Sequence, residues 1–285
     1  MIKLKDIRYV RVGTRDMEAA VTFATRILGL EVDARDGHAA YLRSDARDHT
    51  LVYLDAPADD HTVGFELGTL GELDAAAAEL EKAGFAVHAG TPSECEQRRV
   101  KAFVSFREPS GATVDLVAQP WHSGRSYQPS RAAGITGFSH VGLYTKAPAR
   151  DQEFWTATCS ARVSDWIGEA PLLRIDEVHH KIALFPSVRH GVQHINHQVG
   201  SIDDLMRSYY FLREQAVHIR FGPGRHPTSG ATFLYFEGPD GMTYEYSTGV
   251  RLISEDSGYS PRQFPFRPSS FCMWGAKPDI PEFKT

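Results

Sequence analysis

Phe106-Arg107-Glu108-Pro109-Ser110-Gly111-Ala112-Thr113-Val114-Asp115 aligns without a gap on Phe236-Glu237-Gly238-Pro239-Asp240-Gly241-Met242-Thr243-Tyr244-Glu245, at an offset of 130 residues. Upstream, Ile7-Arg8-Tyr9-Val10 matches Phe138-Ser139-His140-Val141, and Asp48-His49-Thr50-Leu51 matches His179-His180-Lys181-Ile182. Glu66-Leu67-Gly68-Thr69-Leu70 likewise matches Gln198-Val199-Gly200-Ser201-Ile202. A repeat this long with so little drift is a duplicated domain. Three disagreements between the copies bear on chemistry: Tyr9 against His140, Thr62 against His194, and Asp115 against Glu245.

The pattern of each copy is a strand, a helix and three strands, repeated once. In the first half Ile7 to Val12 alternates as a strand, and Met17 to Leu28 has helical spacing up to Gly29. Short strand-like runs follow at Ala39 to Leu42 and Thr50 to Leu54. A second unit reads as Val63 to Leu67, a helix from Glu72 to Ala83 stopped by Gly84, then Phe85 to His88, Lys101 to Phe106 and Thr113 to Val117. The second half repeats this plan, with helices near Pro148 to Thr158 and Ile202 to Gln215. Ser201 and Asp204 resemble a capping box, and Ile202, Leu205, Tyr209 and Leu212 give the latter helix one apolar face. The expected fold is therefore α+β, with a domain over residues 1–120, a polar linker over 121–135, a second domain over 136–250 and a tail over 251–285 packing on that second domain.

A chain of 285 residues, 42% apolar, is long enough for two such domains. No apolar run reaches membrane-spanning length, and Met1-Ile2-Lys3-Leu4-Lys5-Asp6 has no signal-like apolar core behind it, so a cytoplasmic location is expected. A net charge of -5 with interspersed signs provides no basic stripe for nucleic acid. Cys95, Cys159 and Cys272 have neither paired nor CxxC spacing and read as small buried side chains.

His140, His194 and Glu245 each fall in an expected strand of the second half. A single histidine in a strand is more often a core residue than a ligand, and the chain has 13. Position within the repeat changes that balance, because the other copy carries Tyr, Thr and a shorter carboxylate at the same places. In a curled sheet those strands can converge, and two imidazoles with one carboxylate form the facial triad of non-haem iron(II) oxygenases, leaving positions open for substrate and dioxygen. Thr243, Glu245 and Ser247 share one strand face. His197 lies three residues from His194, hence on the opposite face, and is left out of the site.

The second half resembles the type I extradiol ring-cleavage dioxygenases of the vicinal oxygen chelate superfamily. The resemblance rests on Gly137-Phe138-Ser139-His140, Val178-His179-His180-Lys181-Ile182-Ala183-Leu184, Val192-Gln193-His194 and Gly222-Pro223-Gly224-Arg225-His226. Phe233-Leu234-Tyr235-Phe236 and Gly238-Pro239-Asp240-Gly241-Met242-Thr243-Tyr244-Glu245-Tyr246 complete it. It implies two tandem vicinal-oxygen-chelate domains, each of two βαβββ units forming a curled, partly closed mixed sheet around a central cavity. It also implies that His140, His194 and Glu245 bind Fe(II), with Mn(II) as the alternative, and that only the second domain holds metal. His180 matches the family's acid/base histidine, with adjacent His179 as its competitor, while His226 and Tyr235 match the pair that hydrogen-bonds the bound substrate. The implied partners are a catecholic small molecule and dioxygen, in a homo-oligomer.

Some relatives that accept carboxylated catechols carry Arg immediately before the Gly-Pro-Gly segment; here Phe221 stands there, which points to an uncharged or aromatic ring substituent. Ser229 and Gly230 follow His226 where relatives often have Asn or Asp. One rival reading is a glyoxalase-like isomerase or metal-dependent epimerase of the same fold, which generally needs four protein ligands. Another is a metal-free protein that binds an aromatic ligand.

Overall fold

The computed structural model describes residues 1–255 and 258–284. The first unit contains β1 (Asp6–Thr14), α1 (Met17–Thr22), β2 (Glu31–Arg35), β3 (Ala39–Arg43) and β4 (Leu51–Asp55). The second contains β5 (His61–Leu67), α2 (Leu70–Lys82), β6 (His88–Ala89), α3 (Pro92–Arg98), β7 (Val100–Arg107) and β8 (Thr113–Pro120). A third follows with β9 (Ile135–Thr145), α4 (Pro148–Glu153), β10 (Arg162–Ile167), β11 (Ala170–Arg174) and β12 (Ile182–Pro186). The fourth is β13 (Val192–Val199), α5 (Ile202–Glu214), β14 (Ile219–Arg225), β15 (Thr232–Glu237) and β16 (Thr243–Thr248).

These strands form two mixed sheets, ordered β2-β3-β4-β1-β5-β8-β7-β6 and β14-β15-β16-β13-β9-β12-β11-β10. The second sheet is extended past β10 by β17 (Arg262–Phe264) of the tail, which is followed by the short α6 (Pro268–Phe271). In both halves the first strands of the two units run antiparallel side by side at the centre, β1 on β5 and β9 on β13. The fold is α+β, two tandem curled sheets whose ends are not joined by hydrogen bonds.

The paired helices show why the copies fold alike. Thr69 and Ser201 cap α2 and α5 by accepting the backbone N–H three residues on, which satisfies a donor the helix cannot. Leu73, Ala76 and Leu80 of α2 are buried, as are Leu205, Ser208 and Leu212 at the same turns of α5. The expected apolar face of α5 is narrower than its pattern, since Ile202 is exposed. After α1 the helical path widens into a π turn over Phe23–Leu28 and stops at Gly29, whose φ of 83° suits glycine.

Several elements differ from the sequence pattern. The run Phe85 to His88 pairs only through the two-residue β6. β2 escaped the pattern because it is an edge strand that alternates charges, and those charges are matched: Arg99 reaches Asp33 at 2.6 Å and Arg125 reaches Asp33 at 2.9 Å and also Glu31. α3 starts with a capping box, Thr91 with Glu94, and has no helical counterpart in the second half. In the tail, Phe271, Cys272, Ile280 and Phe283 are buried in one cluster with Phe185, Phe221, Phe233 and Tyr235. Asp256, Ser257 and Thr285 of the tail lie outside the described residues. Cys95, Cys159 and Cys272 are free and buried. Among the described residues no helix is long and apolar enough to cross a membrane.

Candidate metal centre

Strand register places the three variant positions in equivalent places. Thr62 pairs with Arg11 across β1 and β5, and His194 pairs with Gly142 across β9 and β13. Asp115 pairs with Gly64 and Glu245 with Asn196, while Ser105 faces Asp115 as Tyr235 faces Glu245.

In the second half these strands bring His140, His194 and Glu245 together, all buried. His140 Nε2 and His194 Nε2 are 3.0 Å apart, and Glu245 Oε2 lies 3.1 Å from the first and 3.4 Å from the second. Ligand bonds of about 2.1 Å at right angles put neighbouring donor atoms about 3 Å apart, so this spacing fits one cation bound on a single face. Glu245 Oε2 has no hydrogen-bond partner despite complete burial, an arrangement that is costly without a cation. His194 Nδ1 is in short contact with the Gln193 side-chain oxygen, a contact that fixes the ring with Nε2 toward the centre. Gly142 makes room for this ring, since a Cβ there would lie 2.3 Å from His194 Nδ1.

The protonation states suit a cation. Burial holds the His194 imidazole down at about 3, and it holds His180 well below the ordinary range with help from the neighbouring His140 and His179. Burial alone would raise the Glu245 carboxyl, but contacts with the surrounding imidazoles, those of His140 and His226 first, keep it well below the usual carboxylate value. A neutral imidazole, as at His194, and an ionised carboxylate, as at Glu245, are forms that bind metal.

His180, His226 and Tyr235 line the same small cavity as His194. The His180 ring lies 4.3 Å from His140, centroid to centroid. His226 Nε2 is 3.2 Å from the Tyr235 hydroxyl and 3.7 Å from Glu245 Oε1, and its Nδ1 donates to the Phe271 carbonyl at 2.8 Å. Burial and the Glu245 charge push the Tyr235 phenol well above its ordinary value, so it remains a donor. Apart from Thr228 and Ser229 the remaining wall is apolar: Ile167, Leu172, Ala183, Phe185, Phe271 and Phe283. His179 sits behind His180, outside this lining, and His197 packs beside Phe138. Sequence reasoning missed Gln193, which adjoins His194 in the chain, and the two tail aromatics, which carry no local signal.

The first half has the same frame with different contents. Tyr9 donates to Asp115 Oδ2 at 2.9 Å, and Arg98 Nε donates to the same oxygen at 2.7 Å. His49 stacks on Tyr9 at 5.1 Å, at the place where the His180 ring lies tilted against His140. Among the described residues, His140, His194 and Glu245 form the one group of three or more side chains able to hold a metal ion.

Known proteins resemble the chain throughout. It is 25% identical over 278 residues to an iron-dependent extradiol dioxygenase of Rhodococcus jostii, covering 90% of this chain and 93% of that protein. Its fold is that of homoprotocatechuate 2,3-dioxygenase from Arthrobacter globiformis, with a TM-score of 0.89 at 21% identity over 100% of this chain and 91% of the other. The Mn(II)-bound glyoxalase of Novosphingobium aromaticivorans is nearly as similar in fold, with a TM-score of 0.87 at 24% identity over 100% and 95%. Because the fold is shared by both chemistries, the reaction has to be argued from the site. The sequence profile of the glyoxalase/bleomycin resistance protein/dioxygenase superfamily matches both copies, residues 6–116 and 137–246, and the chain belongs to that superfamily.

Proposed function

We propose that the protein is an extradiol dioxygenase that cleaves the ring of a substituted catechol with dioxygen at a single Fe(II) held by His140, His194 and Glu245. The observation that carries this reading is the convergence of three buried donors on one face of a point whose other side opens on His180, His226 and Tyr235. His140, His194 and Glu245 would hold the iron, which would supply Lewis-acid and one-electron redox chemistry toward a catechol and dioxygen. The four-ligand isomerase reading lacks a fourth donor in this group, and a metal-free binding protein would bury Glu245 at a large cost.

The side chains divide the remaining work. His226 and Tyr235 are hydrogen-bonded to one another and positioned to hold a substrate oxygen, stabilising charge as it develops. His180, neutral and unexposed to bulk water, takes a proton from a substrate hydroxyl and returns it as the ring opens. Phe185, Phe271 and Phe283 exclude water and favour a ring substituent without charge. Phe221, stacked on Tyr235 at 5.9 Å, extends the same apolar surroundings. Exposed Phe266, Met273 and Trp274 on the tail support a homo-oligomer, which sedimentation at two protein concentrations tests.

Anaerobic reconstitution with iron followed by oxygen uptake on a set of substituted catechols tests the proposal. Roughly one iron per chain and a yellow ring-opened product are expected. Full occupancy by iron or manganese with no oxygen uptake on any catechol would refute it.

A further inference from the structure

His179 is completely buried, and the proposed reaction gives it no task. It nevertheless bridges two groups. Its Nδ1 lies 3.1 Å from His180 Nδ1, and its Nε2 lies 2.9 Å from Asp165 Oδ2. Asp165, on β10, is itself fully buried and accepts from the Tyr259 hydroxyl at 2.9 Å, from Arg262 N at 2.8 Å and from the Arg262 guanidinium at 2.6 Å.

Donor and acceptor rules then fix each proton. With a guanidinium, a phenol and a backbone N–H all donating to it, Asp165 is an ionised carboxylate and an acceptor only. His179 must therefore carry its proton on Nε2. A neutral imidazole has one N–H, so His179 Nδ1 is a lone pair. The short contact with His180 Nδ1 needs a proton, and His180 has to supply it. His180 Nε2 is left bare.

We propose that Asp165 and His179 are positioning residues that lock His180 as its Nδ1–H tautomer, so that Nε2 is the nitrogen free to accept a substrate proton. The inference rests on the ring-cleavage reading for its purpose, but the tautomer follows from the contacts of a neutral His179, the form its burial favours. It explains a difference between the copies. In the first half Asp48 Oδ1 sits directly on His49 Nδ1 at 3.1 Å, whereas in the second His179 occupies the place of Asp48 and the carboxylate stands one ring further out. It also gives β17 a function: Asp165 pairs in register with Arg262, so the tail strand holds the carboxylate that orients the ring.

The decisive variant is Asp165→Asn, whose amide can donate to His179 Nε2 and reverse every bond in the chain. Nitrogen-15 NMR of histidine-labelled, zinc-loaded full-length protein should show a bare Nε2 on His180 in the wild type and a protonated one in D165N. In the iron enzyme, D165N should lower kcat by about a hundredfold to ten-thousandfold with KM and iron content unchanged. His179→Asn, which keeps an acceptor near the Nδ1 position, should retain the wild-type tautomer and most of kcat, whereas His179→Leu should lose both. Gln263→Ala, at the next position of β17, whose amide donates to the Gly168 carbonyl and not to Asp165, should stay within about threefold of wild type. Should D165N fail to fold, the two His179 variants carry the test. A bare Nε2 persisting in D165N or in His179→Leu, or an equal loss of kcat in Q263A and D165N, overturns the proposal. A wild-type protein with the bare Nε2 and no oxygen uptake supports the tautomer lock and overturns the ring-cleavage reading instead.

Discussion

In the first half Tyr9 and Asp115 meet the guanidinium of Arg98, while in the second half His140 and Glu245 meet the bare side of His194. Both arrangements answer the same physical problem, a carboxylate fully withdrawn from water on the inner strands of a curled sheet. One half solves it with a cation built into the chain. On the proposed reading, the other solves it with a cation taken from solution, and so gains a reactive centre. The glycines are exchanged to match: Gly142 clears space for His194, and Gly64 clears space for the ring of Tyr9, whose atoms would lie 2.7 Å from a Cβ there.

Breaking the comparison on its chemical side should have the largest effect. His194→Ala is expected to reduce iron from about one per chain to near zero and activity by about a thousandfold or more, while Thr62→Ala at the matching place changes neither. Iron analysis and initial rates check this pair. On the structural side, Arg98→Met leaves Asp115 buried without its guanidinium partner and should cost about 3–5 kcal/mol in denaturant melts with metal content intact. Adding Asp115→Asn to that variant should recover much of the loss, because the stranded charge is gone.

The glycine exchange gives a sharper, smaller contrast. Gly142→Ala pushes on His194 and should weaken metal affinity about ten- to a hundredfold, measured by competition with a chelator. Gly64→Ala pushes on Tyr9 instead and should cost about 1–3 kcal/mol of stability without changing metal affinity. A metal defect in G64A would blur the division between the halves.

The smallest expected effect is one of acid stability, and it belongs to the first half. Asp48 is held down at about 2: burial opposes this, but hydrogen bonds from His49 and Arg99 and the Arg99 charge prevail. A carboxyl depressed on folding stabilises the fold above its unfolded value, near 4, and the contribution disappears as pH falls toward 2. Asp48→Asn should therefore cost about 1–2 kcal/mol at pH 7, after allowance for solvent screening, and almost nothing near pH 2.

The repeat was legible in the sequence because the turn after β7 and its copy after β15 keep their length and their Pro and Gly residues. That alignment exposed the three candidate metal donors, since each is a substitution at a fixed place. Strand alternation set Glu245 and His194 apart from their neighbours, and His180 was separated from His179 by its partner His49. What stayed hidden acts across distance. Arg98 lies on a helix found in one copy, 17 residues from the carboxylate it serves, so comparison of the halves had nothing to align it with. Asp165 and Arg262 meet across 97 residues, in a tail with no periodic pattern. The edge strand β2 was masked by its charges, which read as a loop until Arg99 and Arg125 are seen to match them.

The central claim is that a catalytic cation binds in the second half and nowhere else. Anomalous diffraction at the iron edge from crystals of the iron-loaded protein tests it directly. A single peak per chain, within bonding distance of His140 Nε2, His194 Nε2 and a Glu245 carboxylate oxygen, is the predicted result. A peak beside Tyr9 and Asp115, or a fully loaded protein with iron elsewhere, would contradict it.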